Sequence, residues 1–457
     1  MDEIILEEYI DKENNIVYEK CKAFTNNKKC FLINEHGYSM VISRELFDML
    51  KERRVSTDFT SKLLQHRLAR FKNKNQIYKC KNNWSYPEFF MIDLTTCCNL
   101  NCKYCFRDIN NPEKYKSISN ETLNEICNYI KEYCLKYKIK KISIQPWGGE
   151  PLLELEKIKW IYNYFKDTTI SVHFTIETNG ILLTEENVKW LYQNNVSIGI
   201  SIDGNEQIHN QQRVFANSKG SFDYVVNGIK NVQNYYGDNF GIINTITQNS
   251  VDSIEKILDF YAKEIGVKHV KFNFVHESEF ASNLCLNNEQ VIDGTKRLYK
   301  KIMSLIQEGH SIVDMNIRHK LLNLLIRDSS DICVSHGCMG GKKMIVFDME
   351  GYIYPCELTD YSEERMGNVR DGDLLEILNE AKSTKDYFKD KVERDCLLCS
   401  WKYFCRGGCS IKAKISNTKI DKLECIINKT LYPLLIDSIL NNPKLVNKLL
   451  DIDIIGD

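Results

Sequence analysis

No sign of charge predominates in this 457-residue sequence: 61 Lys and Arg stand against 62 Asp and Glu. Without a global field, nothing draws the chain to nucleic acid or to an anionic membrane. Long apolar runs are missing too. No stretch of about 18 uncharged apolar residues occurs, so no membrane span is expected. The opening Met1-Asp2-Glu3-Ile4-Ile5 lacks the basic-then-apolar order of a signal peptide. A cytoplasmic protein is the expectation. The 43% apolar content excludes a disordered chain, and the length allows two or three domains.

Cysteine is what the sequence has in excess. Eighteen thiols without an export signal do not read as disulfides, because the cytosol keeps thiols reduced. Clustered thiols in that setting more often hold metal. Exposed metal clusters are oxygen-sensitive, which points to an anaerobic or well-protected cell.

The densest cysteine stretch is 95–106, which follows an apolar, strand-like run at 89–94. Cys98, Cys102 and Cys105 are separated within it by three and two intervening residues. Thiolates at this spacing on one tight loop converge on a single metal centre. Three of them leave one iron of a four-iron cube without a protein ligand, free for a small molecule. The competing readings are a zinc knuckle and plain buried thiols. Zinc would want a fourth Cys or His close by, and Asn99 and Asn101 are poor substitutes.

At these residues the chain resembles the radical S-adenosylmethionine (SAM) enzymes, whose Cys-x3-Cys-x-aromatic-Cys signature is met by Cys98, Cys102, Tyr104 and Cys105. The resemblance implies a 4Fe–4S cluster whose open iron chelates SAM, with Tyr104 near the adenine.

Strand and helix patterns alternate from about 87 to 276. Strands are expected at 89–94, 141–145, 170–176, 196–202, 241–246 and 270–274, with helices between them. Such alternation implies a parallel sheet with right-handed crossovers. The fold class is therefore α/β, a partial (β/α)6 TIM-type barrel spanning 87–330. Chemistry in such barrels sits at the C-terminal strand ends, and each motif falls there. Gly148, Gly149 and Glu150 follow strand two, and two glycines allow close backbone approach. They resemble the family's GGE motif, which implies a hold on the SAM amino group. Thr178 and Asn179 follow strand three. Ser201 ends strand four, with Arg213 downstream, and the resemblance implies that both contact the SAM carboxylate or ribose. His209, nearby, reads as a packed or capping histidine. Thr245 and Thr247 end strand five, on the expected adenine side.

Residues 1–86 form a small α+β module, similar in pattern to the winged-helix elements that hold leader peptides. A simple cap on the barrel fits equally well. Helices are expected at 44–51 and 57–71.

A second cysteine field starts at Cys333. Seven further thiols follow: Cys338, Cys356, Cys396, Cys399, Cys405, Cys409 and Cys425. A hairpin is expected around Met349-Glu350-Gly351. The order resembles the SPASM extension of radical SAM enzymes, here 331–427, with a helical tail at 428–457. The resemblance implies two auxiliary 4Fe–4S clusters. Cys338, Cys356 and Cys409 would hold the first, with Cys333 as its possible fourth ligand. Cys396, Cys399, Cys405 and Cys425 would hold the second.

The resemblance implies three 4Fe–4S clusters and SAM, the latter split reductively to a 5′-deoxyadenosyl radical that takes hydrogen from a substrate carbon. The leading reading is a maturase that forms a thioether or carbon–carbon cross-link in a ribosomally made precursor peptide with a leader. A ferredoxin or flavodoxin would supply electrons. The alternative is an anaerobic sulfatase maturase making formylglycine. That family places an aspartate directly after the cysteine of Gly-x4-Cys, where this chain has Glu357. Glu357 is the candidate proton acceptor, with Asp360 behind it. From another class, a zinc-stabilised scaffold would use the same thiols structurally.

Overall fold

The computed structural model describes residues 2–72, 86–107, 115–278, 281–327, 333, 338–359, 364–384 and 394–452. Asp360, the second acid considered above, lies outside them.

Six short strands open the chain: β1 (Asp2–Leu6), β2 (Tyr9–Asp11), β3 (Ile16–Tyr18), β4 (Cys21–Thr25), β5 (Lys29–Asn34) and β6 (Ser39–Ser43). Helices α1 (Arg44–Lys51) and α2 (Thr57–Gln65) and strand β7 (Ala69–Phe71) complete the module. The strands form two sheets, β1-β4-β5-β6 and β2-β3-β7. The second helix is shorter than expected. His66 caps it, Arg67 turns with a left-handed φ of 55°, and β7 runs back to pair with β3.

The first sheet is apolar on both faces. Cys21, Ala23, Cys30 and Leu32 pack with Phe47, Phe59 and Leu63 from α1 and α2. Phe24, Phe31 and Ile33 belong to the main core of the molecule. Phe24 stacks on Trp401, with ring centres 5.3 Å apart, and Trp401 stacks in turn on Tyr432. Lys22 Nζ donates to Ser400 Oγ at 2.7 Å. Ser39 Oγ donates to the Leu324 carbonyl. The module thus packs on residues 400–401 and on the helices at 315–326 and 422–441.

The barrel follows the apolar pattern. It comprises β8 (Phe89–Thr95), α3 (Asn120–Lys136), β9 (Lys141–Gly148), α4 (Leu155–Lys166), β10 (Ser171–Thr178), α5 (Glu185–Gln193), β11 (Ser197–Ser201), α6 (Glu206–Gln212), α7 (Phe222–Tyr236), β12 (Gly241–Ile246), α8 (Ile254–Asp259) and β13 (His269–Phe274). Ser119 Oγ accepts from the Thr122 amide and Thr184 Oγ1 from the Asn187 amide, so both helices start at side-chain caps. Ile142 and Ile144 of β9 are buried under the helices, each stabilising the core by about 1.5–3 kcal/mol. The alternate residues, Gln145 and Trp147, face inward because successive side chains on a strand point to opposite faces.

Helix α9 (Asn288–Gln307), β14 (Val313–Asp314) and α10 (Met315–Ile326) close one side. The expected hairpin then forms from β15 (Met344–Phe347) and β16 (Tyr352–Tyr354), joined by β17 (Gly367–Asn368). Strand β15 does not stand apart from the barrel. It pairs in parallel with β8, from Met344 opposite Phe89 to Phe347 opposite Ile92. One ten-stranded sheet results, in the order β14-β13-β12-β11-β10-β9-β8-β15-β16-β17. The expected division between 427 and 428 falls inside a single helix, Lys422–Asn441. Among the described residues no helix is long and apolar enough to cross a membrane.

Candidate active site

The loop after β8 gathers its three thiols. The Cys105 amide donates to the Cys102 carbonyl at 3.0 Å, closing a tight turn. The Leu100 amide and Asn179 Nδ2 point at Cys98 Sγ, at 3.4 and 3.7 Å. Arg213 Nη1 points at Cys102 Sγ from 3.9 Å. Burial pushes the Cys98 thiol up to about 11 and Cys102 up to about 12, with the neighbouring thiols adding to burial. Arg213 opposes the rise at Cys102. Metal must therefore displace protons to bind here. Among the described residues no three His, Cys, Asp or Glu side chains converge tightly enough for a single metal ion. Thiols around a four-iron cube stand further apart, and an all-thiol donor set of three suits one.

Gly148 and Gly149 seal this loop against β9. The Gly149 amide donates to the Thr95 carbonyl at 2.8 Å and the Glu150 amide to the Cys97 carbonyl at 2.9 Å. A Cβ on Gly148 would lie 2.5 Å from the Thr95 oxygen. Glu150 is buried, 1% exposed. Its carboxylate accepts from the Leu152 amide (3.0 Å), Thr178 Oγ1 (2.7 Å) and the Asn179 amide (2.7 Å). Glu150, Thr178 and Asn179 are thereby one hydrogen-bonded unit beside Cys98.

Sequence reasoning missed the centre of the second wall, Asp203. It is fully buried. One oxygen accepts from Tyr104 OH (2.7 Å) and Arg213 Nε (3.1 Å), and the other from the Thr245 amide (3.1 Å). The Arg213 guanidinium also lies 5.3 Å from the centre of the Tyr104 ring. Tyr104 and Arg213 are thus joined, and Arg213 is buried rather than a surface cation. The available signal was an acid at a buried strand end, ten residues before an arginine. Ser201 ends β11, half-buried, two residues earlier.

His209 packs behind this hub, as expected. Its Nδ1 accepts from the Asp203 amide at 3.3 Å, and Nε2 meets Ser221 Oγ at 2.9 Å. Ser221 Oγ donates onward to the Arg213 carbonyl, which assigns the imidazole hydrogen to Nε2. Burial first, then Arg213, pulls His209 down to about 3. The unfolded chain takes the proton near 6.5, whereas the folded chain resists it to about 3. Stability from His209 is therefore complete above pH 6.5 and is lost as pH falls through that window. About 2 kcal/mol should be gone by pH 5. Urea unfolding at pH 7 and 5 checks this, with a shallower loss expected in His209→Gln.

A buried ion pair was also missed. Asp93, 1% exposed in an otherwise apolar strand, is bound by Arg107 through both guanidinium Nη atoms at 3.3 and 3.0 Å. Arg107 lies 5.9 Å from the centre of the Trp147 ring. Trp147 Nε1 is buried without a hydrogen-bond partner among the described residues, which costs about 1–3 kcal/mol.

The hairpin of β15 and β16 carries the second set of thiols toward this wall. Met91, Met344, Val346, Tyr354, Cys356 and Ile411 form a small apolar cluster, with Trp147, Leu358 and Cys409 against it. Burial pushes Cys409 up to about 11, and nearby Cys338 adds to it. Burial likewise raises Cys425, with Cys399 and Cys396 adding. The thiols sort by proximity into 338, 356 and 409 on one side and 396, 399 and 425 on the other. Cys405 lies beside Glu424 and Asn428 of the Cys425 helix. Cys333 is exposed. Glu357 is half-buried and accepts from Cys356 Sγ at 2.9 Å. Burial raises Glu177 of β10, Lys271 of β13 lowers it, and Glu357 raises it. Three elements therefore meet at one charged patch.

Two family models match. The radical SAM superfamily model matches residues 92–261, and the iron–sulfur cluster-binding domain called SPASM matches 338–401. This chain is a radical SAM enzyme with a SPASM domain. A radical SAM enzyme with this extension implies iron–sulfur clusters and SAM, and the scaffold reading falls away. The enzyme is similar to a cysteine-type anaerobic sulfatase-maturating enzyme of Clostridium novyi: 27% identical over 323 residues, 68% of this chain and 84% of that protein. Its fold is similar to native anSMEcpe with bound AdoMet and Cp18Cys peptide (TM-score 0.67, 23% identity, 78% of this chain and 100% of that one). It is also similar to Streptococcus suis SuiB bound to precursor peptide SuiA (TM-score 0.54, 16% identity, 91% and 98%).

Proposed function

We propose that this enzyme oxidatively modifies a ribosomally made precursor peptide, closing a thioether or carbon–carbon cross-link. One observation carries the reading: the hairpin with Cys356 and Glu357 is annealed to the barrel beside the SAM-cluster loop, leaving a charged inner wall between two thiol fields. The likeness to SuiB, a precursor-peptide binder by its description, supports it.

When bound at Cys98, Cys102 and Cys105, a 4Fe–4S cluster and SAM supply a radical that removes hydrogen from a substrate carbon. Glu150, Thr178, Asn179, Ser201, Arg213 and Tyr104, with the Gly148-Gly149 backbone, orient SAM. Glu357 accepts the proton that the oxidised substrate releases, and an auxiliary cluster, when bound, would take the electron. Cys338, Cys356 and Cys409 hold one auxiliary cluster and Cys396, Cys399, Cys405 and Cys425 another, giving about twelve irons in all. Cys333, being exposed, is the ligand a substrate thiol would replace. The N-terminal module, 1–86, holds the leader, and a ferredoxin or flavodoxin gives the electron.

The test is anaerobic incubation of reconstituted enzyme with SAM, a reductant and a short Cys-containing peptide encoded nearby. A product lighter by two hydrogens and unreactive to aldehyde reagents is expected. Unmodified peptide alongside consumed SAM would overturn the reading. An aldehyde on a sulfatase peptide would establish the second reading, which the Clostridium novyi relative favours.

A further inference from the structure

We infer that Lys320 and Asn428 raise the reduction potential of the auxiliary cluster assigned to Cys396, Cys399, Cys405 and Cys425. They are positioning residues that act through the Cys405 sulfur, and the inference rests on the ligand assignment proposed above.

Lys320 is a buried cation on α10 that no step above employs. It is 5% exposed. Lysine is almost never buried this far unless paired, yet a buried ion pair adds little stability over apolar packing. Its Nζ donates to Glu424 Oε1 at 2.5 Å and to Asn428 Oδ1 at 2.7 Å. It also lies 5.9 Å from the centre of the Tyr432 ring. Residues 424, 428 and 432 follow one another at single turns of the Lys422–Asn441 helix, so one face of that helix surrounds the ammonium.

That face also meets a thiol. Burial pushes Cys405 up to about 11; a hydrogen bond from the Asn428 side chain opposes the rise, Glu424 adds to it and Lys320 opposes it. Asn428 is itself buried, 2% exposed. Its oxygen takes the ammonium, while its nitrogen donates to Glu424 Oε1 at 3.0 Å and serves Cys405. An ammonium on the amide oxygen polarises the group and strengthens its N–H as a donor. Glu424 does not cancel the charge of Lys320. Its side chain is 32% exposed against 6% for the lysine, so water screens the acid more than the cation.

The thiols suit a four-iron cube. The Cys399 amide donates to the Cys396 carbonyl at 3.2 Å, which turns the first two ligands back toward Cys405 and Cys425, and all four donors are thiols. Hydrogen bonds to the sulfurs and nearby positive charge favour the reduced, more negative state of such a group. Asn428 supplies the first and Lys320 the second.

The experiment is an EPR-monitored redox titration of the full-length reconstituted enzyme without peptide. The signal lost in Cys405→Ala identifies the cluster concerned. Asn428→Leu keeps the size of the side chain and removes the amide. Lys320→Met keeps the stem and removes the charge. Each is expected to lower that midpoint by about 59 mV, a tenfold change in a one-electron ratio, with the other signals unmoved. Iron content accompanies every variant. An unshifted midpoint in either variant at full iron content overturns the inference. Iron lost from both variants also overturns it, since the network would then be structural. If Cys405→Ala removes no signal, the ligand assignment itself has failed. A signal lost there, with both variants titrating as wild type, condemns only the roles of Lys320 and Asn428.

Discussion

Gly149→Ala should slow SAM cleavage at least about a hundredfold. The added Cβ would lie 2.2 Å from the Cys97 carbonyl oxygen, 2.6 Å from its carbon and 2.8 Å from the Thr96 oxygen. All three are backbone atoms, so no side chain can swing aside. Relief requires the loop to move away from β9, which breaks the bonds from Gly149 to Thr95 and from Glu150 to Cys97. Cys98, the first of the three loop thiols, follows one residue later. A shift of about 1 Å at a reacting centre costs roughly a hundredfold in rate. The expected result is deoxyadenosine formation at least about a hundredfold slower, with incomplete reconstitution of iron. Gly241→Ala is the control: the nearest atom to its Cβ is the Ile198 oxygen at 3.9 Å. It should behave as wild type in the same assay.

The second large effect is expected from Asp203→Asn. The carboxylate meets three donors and has no exposed surface. An amide cannot serve them all. With its oxygen toward Tyr104 and Arg213, its NH2 confronts the Thr245 amide; turned over, it confronts Arg213 Nε. Either way the buried guanidinium loses its counter-charge, and breaking a buried pair costs about 3–5 kcal/mol. Chemical denaturation should show a loss of that size, and SAM cleavage should fall with it. Tyr104→Phe removes only one donor and should cost about 1 kcal/mol. A loss for Asp203→Asn no larger than that of Tyr104→Phe would mean the Arg213 charge is solvated after all.

Much of this was legible in the sequence because strands and thiols leave local marks. All six barrel strands were expected within a few residues, since each is an apolar run closed by a turn. The cysteine spacing located both thiol fields. The sheet joining β15 to β8 was not legible, because its partners stand some 255 residues apart and pairing leaves no trace in either strand. Asp203 and Asp93 were passed over for a related reason. Within apolar runs they look like interruptions, and only their distant arginines, Arg213 and Arg107, make sense of them. The end of α2 was missed because Leu68 and Ala69 continue an apolar pattern that serves a strand equally well.

The ladder between β15 and β8 has one more consequence. A continuous row of backbone hydrogen bonds joins the strand leading to Cys98 with the hairpin leading to Cys356. The separation of the two thiol fields is therefore set by the peptide backbone rather than by whatever enters between them.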